Sequence, residues 1–251
     1  MLAEQRYQII LDLLDKKKSV TVTEIREALH ASESTVRRDI TALHNASKLV
    51  KVFGGAVAIE NNLTANEPTV AQKSDLNRDE KKQIGKYAAS LIGEDEFVFI
   101  DAGTSTASML EFIRVEKVSF VTNAVAHAQI LAAMGAKVYL LGGELKSSTE
   151  AIVGNAAVRA LQGFHFTKGF FGTNGISRKE GFTTPDGDEA IVKETAMMQC
   201  RKAYVLADSS KFHSVSSVTF AAIGDATIIT DKLPAGYEDY GVEADIEKSN
   251  I

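Results

Sequence analysis

The run Asp101-Ala-Gly-Thr-Ser-Thr106 gathers a glycine and three hydroxyl residues directly after an apolar, β-like stretch, Phe97–Ile100. Backbone N–H groups, side-chain hydroxyls and the positive end of a following helix are the elements of a phosphate site. No Gly-Lys-Ser/Thr follows, so the run is not a nucleotide P-loop. Lys211, in Asp208-Ser-Ser-Lys211, is the best candidate cation for such an anion. Asp101 and Glu189 can accept hydrogen bonds from sugar hydroxyls. Thr122 with Asn123, Gly142-Gly143-Glu144 and Gly172-Thr-Asn-Gly175 are further polar loops at the ends of expected strands. An open α/β sheet collects such loops at the carboxyl ends of its strands. The candidate effector set is therefore Asp101, Gly103, Thr104, Ser105, Thr106, Thr122, Asn123, Gly143, Glu189 and Lys211. A purely structural reading stays open for each: Ser and Thr cap helices, and Lys or Glu can be ordinary surface residues.

A second run, Ser32-Glu-Ser-Thr-Val-Arg-Arg-Asp-Ile40, has the pattern of a helix that reads DNA. Val36, Ile40 and Leu43 recur at i, i+4 and i+7 and share one inward face. Ser34, Arg38, Thr41 and Asn45 cluster on the opposite face, with Arg37 beside it. Small polar residues and arginines near a helix N-terminus can reach base edges in a major groove. Ser34, Thr35, Arg37, Arg38 and Thr41 are the candidate contacts, and Lys51 in the following hairpin is a candidate phosphate contact from a wing. The alternative is a solvated face in which the arginines pair with Asp39 or Glu33.

The elements needed to hold these runs are legible. A helix near residues 3–17 carries Ile10, Leu13 and Leu14, and a short strand at 20–22 follows. Thr23 then caps a helix with Ile25, Ala28 and Leu29 on one face. The third helix begins after Ser32, and residues 48–59 alternate around Gly54-Gly55 as a hairpin. This small domain spans 1–59. Residues 60–77 are polar and aperiodic and read as a linker. Asn77 and Glu80 then form a capping-box-like start for a helix carrying Ile84, Ala88, Leu91 and Ile92. From 78 to 251, strands expected at 97–100, 119–122, 138–141, 169–172, 204–207 and 227–230 alternate with helices near 105–113, 124–134 and 189–200. That alternation predicts an α/β domain with a largely parallel sheet.

Composition narrows the class. Hydrophobic content of 45% and charged content of 24% are those of a soluble globular chain. No apolar run approaches the roughly 20 residues that cross a bilayer, and the N-terminus lacks a signal-peptide core. With a single cysteine, Cys200, the expectation is a cytoplasmic protein with no membrane partner. The net charge is −5, yet residues 1–60 hold nine Lys/Arg against eight Asp/Glu. DNA contact must therefore come from a local basic face in that segment. His30, His44, His127, His165 and His213 show no paired metal-ligand spacing, so neither a metal nor a metal-dependent hydrolase is expected.

The first sixty residues resemble the DeoR family of bacterial repressors, whose recognition-helix signature is similar to Ser32-x-x-Thr35-Val36-Arg37-Arg38-Asp39-Ile40. The family's wing ends in His-Gly-Gly-Ala, where this chain has Phe53-Gly-Gly-Ala56, so no contact role passes to position 53. Ser47 replaces the usual glycine after the recognition helix, and Lys51 replaces an arginine, keeping charge without the bidentate fork. Residues 78–231 resemble the family's effector domain, similar in fold to ribose-5-phosphate isomerase and the CoA transferases. Asp101-x-Gly103-Thr104-Ser105-Thr106 matches its phosphate loop, and Asp208-Ser-Ser-Lys211-Phe212 its late lysine motif. The segment Gly169-Phe-Phe-Gly-Thr-Asn-Gly-Ile176, with Gly181-Phe-Thr-Thr-Pro-Asp186 and Ser217-Val-Thr-Phe220, resembles the fructose operon repressors. The resemblance implies a homo-oligomeric, cofactor-free repressor that binds double-stranded operator DNA and is relieved by fructose 1-phosphate. Tagatose 6-phosphate is the alternative effector. A sugar-phosphate isomerase is the rival class, with Asp101, Asp186, Asp188 and Glu189 as acids and bases; an isomerase has no need of the N-terminal domain, so catalysis is not expected.

Overall fold

The computed structural model describes residues 3–17, 19–46, 48–52, 54–57, 63–64 and 70–244. Ser47, Phe53 and most of the expected linker before residue 70 lie outside the described residues. The chain divides into two compact units, Met1–Asn62 and Leu63–Ile251.

In the smaller unit, apolar spacing builds three helices and a small sheet. These are α1 (Ala3–Lys17), β1 (Ser19–Thr21), α2 (Val22–Leu29), α3 (Glu33–Asn45), β2 (Val50–Val52) and β3 (Gly55–Val57). Ile10 and Leu14 of α1, Ile25 and Leu29 of α2, and Val36, Ile40 and Leu43 of α3 close on one core with Leu49 and Ala56. The strands pair antiparallel in the order β1-β3-β2. Gly55 sits where a Cβ would lie 2.1 Å from the Val20 carbonyl oxygen, so only glycine permits this approach. The cap of α2 differs from expectation. Thr21, not Thr23, accepts from the Glu24 N–H, and the Glu24 carboxylate returns a bond to the Thr21 N–H. Val22 therefore opens the helix instead of ending the strand. The reciprocal box satisfies two backbone donors, which a cap at 23 could not do with Glu24 as its neighbour.

The larger unit begins with β4 (Leu63–Thr64), α4 (Val70–Ser74), α5 (Arg78–Ser90), β5 (Phe97–Ile100), α6 (Thr104–Ala107), β6 (Ser119–Thr122), α7 (Val125–Ala133) and β7 (Lys137–Leu140). It continues through β8 (Glu144–Leu145), β9 (Ile152–Val153), α8 (Asn155–Gln162), β10 (Phe166–Gly172), β11 (Gly175–Ser177), β12 (Gly181–Thr184) and α9 (Gly187–Met198). Then follow β13 (Cys200–Leu206), β14 (Val215–Ser216), β15 (Val218–Ala221), β16 (Thr227–Thr230) and β17 (Gly241–Glu243). The main sheet runs β17-β16-β13-β10-β5-β6-β7, parallel throughout. Its central strands are apolar on both faces because helices cover both. Val98, Ile100, Phe120, Phe170, Leu206 and Ile229 pack with α5 and Leu131 of α7 on one side. Their sequence neighbours Phe99, Val121, Phe171, Val205 and Ile228 pack with α8 and α9 on the other. Truncating one of these fully buried phenylalanines to alanine would cost about 3–5 kcal/mol.

Strand order explains where a ligand can enter. From β5 the chain moves outward through β6 and β7, then returns to β10 on the other side of β5. The connections after β5 and β10 therefore part company at their carboxyl ends, and this switch point opens a crevice.

Three local expectations change in this unit. Residues 63–77 are not all linker: β4 pairs with β14, and α4 packs near α6. Asn77 precedes α5 in the left-handed conformation (φ 51°) and makes no capping bond, its side chain being engaged elsewhere. The helix expected near 105–113 is a four-residue α6 followed by a 3-10 turn, Leu110–Phe112. Hydroxyls explain the interruption: Ser108 Oγ donates to the carbonyls of Ser105 and Lys81, both at 2.6 Å.

Candidate functional site

The loop after β5 and the loop after β10 face each other across a cleft of about 300 Å3. Gly103, Thr104, Ser105, Glu189 and Lys211, expected from the sequence, all line it. So do Thr173 and Asn174 of the expected loop after β10, Asp208 and Ser210 of the expected loop that carries Lys211, and Lys73, Asn77, Lys81, Thr149 and Lys193, which sequence reasoning left out of the site.

The other expected residues build the cleft without lining it. Asp101 is buried at the end of β5, ion-paired with Lys193 of α9, and accepts from the Gly172 N–H at 3.1 Å. Lys193 also donates to the Gly172 carbonyl at 3.2 Å, so the pair bolts the ends of β5 and β10 to α9. Burial pushes the Asp101 carboxyl up, against the pull of Lys193 and the Gly172 N–H. Thr106 turns its hydroxyl back to the Asp101 and Gly103 carbonyls, at 2.6 and 2.9 Å. Thr122 is fully buried, accepting from the Ala124 N–H. Asn123 accepts from the Ala102 N–H at 2.8 Å, fixing the loop from the β6 side. Gly143 serves a close approach in the β8–β9 hairpin, where a Cβ would stand 2.4 Å from the Val153 carbonyl oxygen.

Charge decides what the cleft attracts. Glu189, expected to meet sugar hydroxyls, is neutralised by Lys146 at 2.9 Å and accepts from Thr149. Asp208 accepts from Asn77 Nδ2 at 2.8 Å and from Ser210. Among the described residues, neither Lys81 nor Lys211 forms an ion pair. Lys81 is buried, its Nζ donating to the Lys73 carbonyl at 2.5 Å. Burial lowers its ammonium; Asp208 opposes that and Lys211 adds to it. An anion between the two lysines would relieve both penalties. Because α6 has a single turn, these lysines, rather than a helix dipole, supply the attraction. A signal for Lys81 was present in the sequence: it stands three residues before Ile84 and seven before Ala88, on the apolar face of α5. Lys193 likewise falls between Ala190 and Met197 on the inner face of α9.

In the smaller unit α3 is capped by Ser32, whose Oγ accepts from the Thr35 N–H at 3.3 Å. Ser34 and Thr35 hydroxyls both contact Ser32 Oγ at 2.9 Å. Arg37 is exposed but paired with Glu33 at 2.7 Å. Asp39 faces the other way, buried against Arg6 of α1. Arg38 remains exposed and makes no ion pair among the described residues. Thr41 donates to the Arg37 carbonyl at 2.8 Å and accepts from Lys51 Nζ at 3.0 Å, tying the β2–β3 wing to the outer face of α3.

Comparison with known proteins agrees with both halves. Residues 6–62 match the DeoR-like helix-turn-helix domain and residues 76–232 the DeoR C terminal sensor domain. The chain is 43% identical over 231 residues to the uncharacterized HTH-type transcriptional regulator FruR of Bacillus subtilis (strain 168), covering 92% of this chain and 91% of that one. It is 32% identical over 235 residues to the lactose phosphotransferase system repressor of Streptococcus mutans serotype c, covering 92% and 93%. Ribose 5-phosphate isomerase A from Methanocaldococcus jannaschii overlays on 54% of this chain and 55% of its own, at 15% identity and a TM-score of 0.41. No helix among the described residues is long and apolar enough to cross a membrane, and they contain no cluster of metal-ligating side chains.

Proposed function

The chain belongs to the DeoR family of helix-turn-helix transcriptional regulators, and from that premise we infer that it represses a sugar-utilisation operon and is relieved by a phosphorylated sugar. The observation that carries this reading is the cleft at the β5/β10 switch point, where Lys81 and Lys211 meet the Gly103–Thr104–Ser105 loop and neither is ion-paired among the described residues. A phosphate monoester supplies the missing charge, and the surrounding hydroxyl and amide groups suit a sugar. The same resemblance suggests the ribose-5-phosphate isomerase and CoA-transferase architecture for the larger unit. Catalysis is not part of the proposal: the carboxylates Asp101 and Glu189 are both occupied by lysines.

The effector we favour is fructose 1-phosphate. Thr173 and Asn174, within the segment that resembles fructose operon repressors, line the cleft. On the DNA side, Arg38, Arg37, Ser34, Thr35, Thr41 and Lys51 form the proposed reading face, and two copies in the cytoplasm engage paired half-sites. Fluorescence anisotropy with operator DNA tests the whole reading. Fructose 1-phosphate is expected to weaken operator binding by roughly 5–150-fold, with the reciprocal loss in sugar affinity when DNA is bound. Release by tagatose 6-phosphate alone would replace the effector and keep the repressor. An operator complex indifferent to every phosphorylated sugar would remove the reading.

A further inference from the structure

A second chamber of about 360 Å3 adjoins the cleft and shares with it Lys81, Ala102, Gly103, Thr104 and Thr149. Beyond this shared wall the charges balance, Arg78 and Lys82 against Glu111 and Glu150. The chamber thus offers no net attraction for a second phosphate and suits the uncharged part of a ligand.

Two buried side-chain atoms among the described residues lack a hydrogen-bond partner, and both belong to residues lining this joined space. One is Asp208 Oδ2 in the cleft; the other is His127 Nδ1 in the chamber. His127, in the first turn of α7, is 4% exposed and lies beside the backbone of Gly103, with which it lines the chamber. Burial pushes its pKa down to about 4, so the ring is neutral near pH 7. One nitrogen of a neutral imidazole donates and the other accepts. Buried polar atoms without partners are destabilising, and a sugar hydroxyl, which both donates and accepts, satisfies Nδ1 in either tautomer.

We propose that His127 is a specificity-determining residue of the sensor unit: its unpartnered Nδ1 hydrogen-bonds a hydroxyl of a sugar monophosphate whose phosphate lies at Lys81 and Lys211. This rests on reading the cleft as a sugar-phosphate site. It adds the orientation of the ligand, phosphate in the cleft and hydroxyls toward α7. It also sets the class, a monophosphate with free hydroxyls in preference to a bisphosphate.

Isothermal titration of the full chain with fructose 1-phosphate, tagatose 6-phosphate, fructose 1,6-bisphosphate and inorganic phosphate tests it. His127→Gln keeps an amide nitrogen near the Nε2 position and deletes Nδ1. Ile130→Phe, at a half-exposed residue of α7 that lines the chamber, narrows the space and leaves the cleft intact. Both variants are expected to weaken the preferred sugar monophosphate about ten-fold or more, while inorganic phosphate binds as before; a melting curve checks that each is folded. Wild-type affinity of folded His127→Gln for the sugar monophosphate overturns the assignment. Equal loss of inorganic phosphate also overturns it, because His127 would then act through Gly103 alone. A wild-type chain that prefers no sugar phosphate over inorganic phosphate would instead overturn the effector reading itself, and this inference with it.

Discussion

Arg6 of α1 grips Asp39 of α3 through Nε and one terminal nitrogen, at 2.6 and 2.8 Å, with Asp39 buried. The pair joins the first helix to the recognition helix across 33 residues of sequence. It also takes Asp39 away from its neighbours Arg37 and Arg38. Arg6→Ala strands a carboxylate in the core, and leaving one partner of a buried pair alone is strongly destabilising. A drop of about 5 °C or more in the melting of residues 1–62 is expected by circular dichroism, with Asp39→Asn milder than Arg6→Ala. Equal stability of Arg6→Ala and wild type would contradict the pairing.

The two adjacent arginines should not behave alike. Arg37 is held by Glu33, whereas Arg38 is exposed and unpaired among the described residues. Arg38→Ala is expected to cost on the order of 1–3 kcal/mol in specific operator binding. Arg37→Ala should cost less and act mainly on the salt dependence of binding. Anisotropy at several salt concentrations separates them, and unchanged affinity in both variants would remove α3 as the reading helix.

Lys81→Met and Lys211→Ala should each weaken sugar-phosphate binding about ten- to a hundred-fold, the range of a lost charge-assisted hydrogen bond. Operator binding in the absence of sugar phosphate should persist. Titration calorimetry and anisotropy on the same preparations check both halves. An unphosphorylated sugar that binds as tightly as its phosphate would show that the lysines are not the anchor.

The buried Asp101–Lys193 pair is structural and should read as stability. Lys193→Met leaves Asp101 uncompensated and is expected to cost about 3–5 kcal/mol. The double variant Asp101→Leu/Lys193→Met should recover part of that loss, since a desolvated pair can be replaced by apolar groups at little cost. Chemical denaturation of the two variants beside wild type checks the ordering; a double variant less stable than Lys193→Met alone would refute it.

Acid should loosen the α2 cap. The Lys17 ammonium, then the Thr21 N–H and hydroxyl, hold the Glu24 carboxyl down at about 2 from 4.5. A depressed folded-state pKa stabilises above the unfolded value and loses that effect as pH falls through the folded one. The contribution is therefore complete above about pH 4.5 and gone below about pH 2. Glu24→Gln should flatten this part of the acid-unfolding profile, and an unaltered profile would exclude the cap as its source.

Periodicity made much of this molecule legible from its residues. The faces of α3, the capping by Ser32, the β-branched runs and the alternation of strand and helix are local patterns that backbone geometry dictates. So were the polar loop after β5 and Lys211, because residue type alone names candidates for an anion. The family resemblance rested on contiguous motifs of the same kind. What remained hidden is long-range. Whether a carboxylate meets a sugar or a lysine depends on partners 92 residues away for Asp101 and 43 for Glu189. Asn77 looked like a cap and became a prop for Asp208 across 131 residues. Lys81 and Lys193 stand on the apolar faces of their helices, and what each would meet there depended on the strand order. Sequence determined which groups could carry charge and which faces were apolar. Tertiary structure alone decided which charges were neutralised, because desolvation and pairing are properties of neighbours in space, and strand crossover rather than sequence distance chooses those neighbours.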